Sequence, residues 1–307
     1  MVNTPNYYSS RLKKDELTIF LFHGVIIEHK HLVQNYTRKH IDQFHFRNVL
    51  KKLKEKGHAI SMSEAFYHFI NKKPFPAFSY VITFDDGFEN NFSVAAPILT
   101  EMSIPAIFYI ATNFIDTNGM GWTDKMEFCI DKISSGKLYF EWDKDYDYSF
   151  QNNKDKIRIL KRFREVIKND SSINTYNFIS SLFNQCNIKE IESAHDSLHM
   201  KMNWNQVVEL DSSNLFEVAG HSHLHEVLSF MGYSDMVNDI NISLKLLKEK
   251  ASIKSNNYCY PEGLEHCFNI SVIDVLKSNG IVCCPSAIDG TNPLDSDLFS
   301  LKRIFVV

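Results

Sequence analysis

Short apolar runs alternate with amphipathic stretches along most of this chain. Leu17–Phe22, Tyr80–Phe84, Ala106–Ala111, Phe216–Gly220, Tyr258–Tyr260, Ile281–Cys284 and Leu301–Val307 are nearly continuous and β-prone, and each predicts a buried strand. His58–Ile60 predicts a shorter one. Between them the period changes to that of a helix. From Phe44 to Lys56 the apolar residues Phe46, Val49, Leu50 and Leu53 share one face, and Gly57 ends the pattern. Ser61 and Glu64 are spaced as a capping box for a helix over Ser63–Ile70. Further helices are predicted over Asn91–Met102, Trp204–Leu210, Tyr233–Lys250 and Ser271–Lys277. Pro97 either kinks the first of these or marks its true start. Strands that alternate with helices imply parallel pairing through helical crossovers.

Residues 116–200 break this rhythm. Trp122, Thr123 and Asp124 open a short helix, Lys137–Tyr148 has the aromatic and acidic character of a hairpin, and Lys154–Lys168 and Ile173–Phe183 are helical. The expected architecture is therefore α/β: a distorted (β/α) barrel, seven- or eight-stranded. It would form one domain over 1–307 with a mostly helical insertion at about 116–200. That insertion either shapes and covers a cleft or only stabilises the fold.

Composition narrows the function. An apolar fraction of 44% supports a large core, and a net charge of -4 argues against a nucleic-acid partner, which calls for a basic stripe. No apolar run approaches the ~20 residues that cross a bilayer. Met1–Glu16 is polar and mixed in charge, unlike a signal peptide, so a cytoplasmic location is expected. The six cysteines show no C-x-x-C spacing and are expected to be reduced and mostly buried.

Two stretches carry candidate chemistry. The strand ending at Phe84 runs into Asp85, Asp86 and Gly87. Two adjacent carboxylates repel if both are buried and unpaired. A cation resolves this if one Asp ligates it and the other stays free as a base; the alternative is a pair of solvated acids capping the helix near Asn91. The strand ending at Gly220 runs into His221, Ser222, His223, Leu224 and His225. His221 and His225 are four apart, and in a helical turn such residues stand roughly 6 Å apart on one face. One carboxylate with two imidazoles leaves coordination positions open for water. His23 follows the first strand and lies either near this site or bonded to backbone. His29, His31 and His40 fall in a polar loop and are expected to be solvated. His195 and His199 are also four apart but lack a strand context, and a solvated or capping role is expected for them.

These motifs resemble those of the polysaccharide deacetylase family, carbohydrate esterase family four. Thr83–Gly87 matches T-F-D-D-G, and His221, Ser222 and His225 match H-[S/T]-x-x-H. The resemblance implies that Asp86, His221 and His225 bind a divalent metal, Zn²⁺ first, with Co²⁺, Ni²⁺ or Mn²⁺ as alternatives. Asp85 would be the catalytic base, and His223 would point off the metal face. Tyr258–Gly263 resembles the third motif, R-x-P-Y or A-Y-P-Y-G, but with Cys259 at the Arg position and Glu262 at the Tyr position. The backbone N–H of Glu262 would serve as oxyanion donor, and loss of the Arg would remove a partner that tunes the base. Tyr260, Pro261 and Trp122 are expected against substrate. The chain carries no terminal L-x-H, so His23 is expected as the general acid. The implied activity is removal of an N-acetyl group from a sugar, nucleotide sugar or polysaccharide precursor, with an association with surface polysaccharide synthesis at the membrane. The alternatives are an inactive carbohydrate-binding member and a deacylase for another amide or ester.

Overall fold

The computed structural model describes residues 3–307. Its main sheet holds six strands, β1 (Thr18–Phe22), β2 (His58–Ala59), β3 (Ser79–Phe84), β4 (Ala106–Ile110), β5 (Phe216–Gly220) and β6 (Ile304–Phe305). Every pairing in it is parallel, in the order β6-β1-β3-β4-β5, with β2 beside the start of β3. β1 and β3 run in register from Thr18 opposite Tyr80 to Phe22 opposite Phe84. β1, β3 and β4 are buried at every position. That is why they read as unbroken apolar runs: parallel strands covered on both faces need no polar alternation.

Beyond β5 the pairing is carried by single parallel bridges, Gly220 to Tyr258, Asn257 to Cys283 and Pro285 to Leu301. The strands expected at Tyr258–Tyr260 and Ile281–Cys284 are thus reduced to bridges, and the last strand is regular only over Ile304–Phe305. Tyr258 N–H donates to Cys283 O at 3.0 Å and Cys259 N–H to Gly220 O at 2.9 Å, so this segment still bonds to a neighbour on each side.

The helices follow their apolar faces. α1 (Gln43–Lys56) buries Phe46, Val49, Leu50 and Leu53 and stops at Gly57. The stretch expected as one helix over 91–102 is divided. A π-turn covers Asn91–Ala95, and the regular helix begins at Ala96 with Pro97 in its first turn, where a missing N–H costs nothing. Among the described residues no helix is long and apolar enough to cross a membrane.

The 116–200 region forms its own hydrophobic cluster. It contains α2 (Trp122–Lys132), an antiparallel pair Gly136–Leu138 with Tyr148–Phe150, α3 (Asn153–Ile167) and α4 (Thr175–Gln185). Phe163 stands at its centre, with ring centroids of Phe140, Tyr148 and Phe178 at 5.2, 5.0 and 4.9 Å. The hairpin expected from the aromatic pattern is the pair that flanks this ring.

Two histidines depart from expectation. His40 is buried rather than solvated, because 40–42 pairs as a strand with Gly24–Ile26 and the ring sits edge-on to Phe88 at 4.4 Å. A Cβ at Gly24 would fall 1.9 Å from His40 Nδ1, so Gly24 is what makes room for it. His199 is likewise buried, with Nε2 2.8 Å from Gln34 Oε1, whereas His195 is exposed. All six cysteines are buried free thiols.

Candidate metal and active site

The acidic pair sits where β3 ends. Asp85 N–H still donates to Phe22 O at 3.0 Å, which continues the β1–β3 pairing. Asp86 then adopts φ 75° and Gly87 φ 80°. The left-handed region is costly for a residue with a Cβ, and strain of this kind clusters at functional sites. Its effect here is to turn the two neighbouring carboxylates in different directions.

The histidines arrive from the end of β5. His221 N–H donates to Ile110 O at 2.9 Å. The segment to His225 is a bend with left-handed residues at Ser222 (φ 65°) and His225 (φ 59°), not the helical turn that the i,i+4 spacing suggested. Ser222 Oγ accepts from His225 N–H at 2.9 Å. The carboxylate of Asp239, on α5 (Tyr233–Ala251), accepts from the N–H groups of His223 and Leu224 at 2.8 Å each. These anchors bring the His221 and His225 rings to 5.0 Å between centroids.

Asp86, His221 and His225 each present one donor atom, all within 4.8 Å of one another. Asp86 Oδ1 lies 3.0 Å from His225 Nε2 and 3.6 Å from His221 Nε2. The approach lacks hydrogen-bond alignment, and among the described residues Oδ1 is a buried oxygen with no hydrogen-bond partner. An orphaned buried carboxylate oxygen facing two imidazole nitrogens is the donor set and the vacancy in bonding that a divalent metal would satisfy. His221 Nδ1 lies 2.9 Å from Cys259 O, which orients Nε2 toward Asp86; such outer contacts fix the tautomer of metal-binding histidines. His223 instead meets Thr112 Oγ1 through Nδ1 at 2.9 Å, away from this cluster.

Asp85 has a different partner. Arg303, from the segment between Leu301 and β6, gives it a two-point ion pair at 2.8 and 2.7 Å, and both side chains are buried. The same guanidinium donates to Ser286 O and Thr83 Oγ1. Burial by itself would raise the Asp85 pKa, but Arg303, with His221 and His23, reverses this and holds it below the usual carboxylate range. The expectation that Cys259 leaves the base without a guanidinium is therefore corrected: the charge comes from Arg303. The Cys259 thiol stands 3.8 Å from Asp85 Oδ2. Arg303 was missed in the sequence. Its signal was a lone cation in an apolar terminal run, with no acid near it in the chain.

These groups open into one cavity of about 250 Å³. Asp85, Asp86, His221 and His225 line it together with His23, Lys39, Arg164, Lys168, Glu262 and Phe305. His23 packs edge-on to Phe305 at 5.3 Å, and among the described residues its buried Nδ1 has no hydrogen-bond partner. Burial lowers its pKa to about 4 against the opposing pull of Asp86 and Asp85, so the ring is neutral at pH 7. Glu262 adopts φ 59°, and among the described residues its N–H donates to no protein acceptor. Its carboxylate pairs with Lys168. Burial opposes ionisation there, but Lys168 and His225 outweigh it and hold Glu262 down to about 2.

Two expected substrate contacts are corrected. Tyr260 is fully buried, stacks on Phe268 at 4.1 Å and spends its hydroxyl on Phe299 O at 2.9 Å, so its side chain faces the core. Pro261 is buried beside it and does not line the cavity. Trp122 opens α2, packs on Phe178, and lines two neighbouring cavities that adjoin at His225 rather than the one holding Asp85.

No family model matches the chain, and no curated protein matches its sequence. Solved structures do match its fold. The deacetylase PplD of Streptococcus pyogenes, determined with acetate, superposes with a TM-score of 0.61 at 13% identity, covering 96% of this chain and 94% of that one. The deacetylase domain of BpsB from Bordetella bronchiseptica gives 0.55 at 17% identity, over 94% and 95%. A de-N-acetylase from Aggregatibacter actinomycetemcomitans gives 0.55 at 16%, over 95% of each. The chain has the fold of the polysaccharide deacetylases, over nearly its whole length.

Proposed function

We propose that this protein is a metal-dependent hydrolase that removes an N-acetyl group from a sugar or a polysaccharide precursor. The observation that carries the reading is the division of labour in one cavity. Asp86, His221 and His225 converge as a donor set, and Asp85 stands beside them on its own guanidinium. The fold shared with known deacetylases supports it. The circuit of parallel bridges supports a distorted, seven-stranded (β/α) barrel, with the 116–200 insertion as part of the same catalytic domain.

A divalent metal, Zn²⁺ first, held by Asp86, His221 and His225 would supply a Lewis acid and a water of lowered pKa. Asp85, ionised across the neutral range, accepts the water proton. Its depressed pKa makes it a poor place to keep that proton. His23, neutral and without a bonding partner in the same cavity, is suited to receive it and deliver it to the leaving amine. One proton of the water thus ends on the amine nitrogen. The free N–H of Glu262 is an available donor for the charge that develops on the acetyl oxygen. Trp122 lies where a longer substrate would extend past His225.

The test is acetate release by the metal-loaded protein from a panel of N-acetylated sugars, oligosaccharides and nucleotide sugars. Release that is abolished by a chelator and restored by Zn²⁺ supports the reading. Release that survives complete removal of metal contradicts it.

A further inference from the structure

One wall of the cavity has no part in the chemistry described above. Lys39 and Thr37, from the segment before His40, and Arg164 and Lys168, at the end of the insertion's α3, all line it. Behind this wall Lys39 pairs with Asp124, and Lys201 stands 3.7 Å from the same carboxylate. Arg164 pairs with Glu127 at 2.7 Å, and Lys168 with Glu262. Four cations therefore face three carboxylates, an excess of one positive charge in largely enclosed surroundings. Asp85 does not offset it, since Arg303 already neutralises that group, and Asp86 is committed to the metal site. Excess charge out of water is costly unless an opposite charge meets it.

Unused hydrogen-bonding groups point the same way. Arg164 Nε and Thr37 Oγ1 are buried and, among the described residues, have no hydrogen-bond partner. A guanidinium N–H and a hydroxyl, left unpaired among three cations, form an anion cradle. The cradle is also held in place. Asn35 N–H donates to Glu127 at 2.7 Å, Gln34 Nε2 to Asp131 at 2.8 Å, and His266 Nε2 meets Lys168 O at 2.8 Å.

We propose that this wall is an anion subsite, which holds a carboxylate or phosphate of the substrate while the acetamido group lies at Asp85. The inference rests on the deacetylase reading and narrows it to acidic substrates: a hexosaminuronic acid, whose carboxylate is on the ring, or a nucleotide sugar, whose phosphates are at the anomeric carbon. In either case Lys168 and Arg164 determine specificity and take no part in the chemistry.

The experiment compares three probes on the metal-loaded full chain: methyl N-acetylglucosaminide, its N-acetylated hexosaminuronate counterpart, and UDP-N-acetylglucosamine. Acetate release gives kcat/KM, and calorimetry with the Asp85→Asn protein gives affinity without turnover. One charge-assisted hydrogen bond is worth about tenfold in binding. At least one anionic probe is expected to exceed the neutral one by about tenfold or more, and which one identifies the source of the anion. Lys168→Gln and Arg164→Gln should remove that preference by raising KM for the anionic probe, leave kcat/KM for the neutral probe unchanged, and Lys168→Arg should restore it. Equal use of all three probes, or equal losses on all three in the variants, would overturn the subsite while leaving the deacetylase standing. If no probe is turned over, the deacetylase reading loses its support, but calorimetry still decides the subsite: no stronger binding of either anionic probe, or binding unaffected by Lys168→Gln, rejects it.

Discussion

Arg303 grips Asp85 through two parallel hydrogen bonds, although 218 residues separate them in the chain. As the proposed base, Asp85 would have to be ionised to accept a proton, so activity should rise with pH through its pKa. With that pKa depressed, the acidic limb of the rate profile should lie below the ordinary carboxylate range. Arg303→Met leaves a buried carboxylate without its counter-charge. The limb should then move to higher pH, and the folded state should lose about 3–5 kcal/mol. Arg303→Lys retains one charge but not the two-point geometry, and should fall between. A pH–rate profile and a denaturation curve for each variant check both effects.

Removing one member of the donor set should separate metal binding from folding. His225 is held by backbone contacts and by a stacked Phe114 ring at 5.5 Å, and its side chain carries little else. His225→Ala is expected to fold, to bind far less than one metal per chain, and to lose acetate release. Elemental analysis of the purified variant reads this directly. Full metal content would show that the ligands lie elsewhere.

His23 carries two expectations of independent sign. As the group that hands a proton to the amine, it should contribute about 10²–10⁴-fold to the rate, so His23→Gln should keep its metal and lose that factor. Its folded pKa of about 4 lies below the unfolded value of about 6.5. The unfolded chain therefore binds a proton first as pH falls. The stability gained from the neutral buried ring is fully present above about pH 6.5 and is lost down to about pH 4, amounting to at most about 3 kcal/mol. The metal-free His23→Gln protein should show a shallower loss of stability over that window, measured by urea unfolding at several pH values.

Glu262 tests whether a backbone group suffices. If only its N–H acts on substrate, Glu262→Gly should turn over a neutral probe within a few-fold of wild type, since glycine accepts φ 59° and keeps the N–H. A loss of about a hundredfold or more would show that the carboxylate itself takes part.

Much of this site was legible because it lies at strand ends. Continuous apolar runs located β3 and β5, and the acids and histidines directly after them marked where those strands stop. What was not legible depends on contacts made far along the chain. His225 reaches Asp86 through left-handed bends anchored by Asp239, which no i,i+4 rule contains. Arg303 is an ordinary basic residue until the last segment packs beside β1 and aims it at Asp85. Tyr260 follows the family pattern in sequence, yet the stacked Phe268 and the Phe299 carbonyl draw it into the core. His40 and His199 sit among polar neighbours in sequence and are buried only because the short 24–26 and 40–42 strands pair and the loop before Lys201 folds over Gln34.

The most direct measurement is metal content together with acetate release for the wild type and for Asp85→Asn. The account predicts about one metal per chain in both proteins, since Asp85 is not a ligand, with acetate released by the wild type and reduced at least about a hundredfold in the variant. Metal lost along with activity in Asp85→Asn would contradict the division of roles between Asp85 and Asp86. Undiminished release by the metal-loaded variant would remove Asp85 as the base.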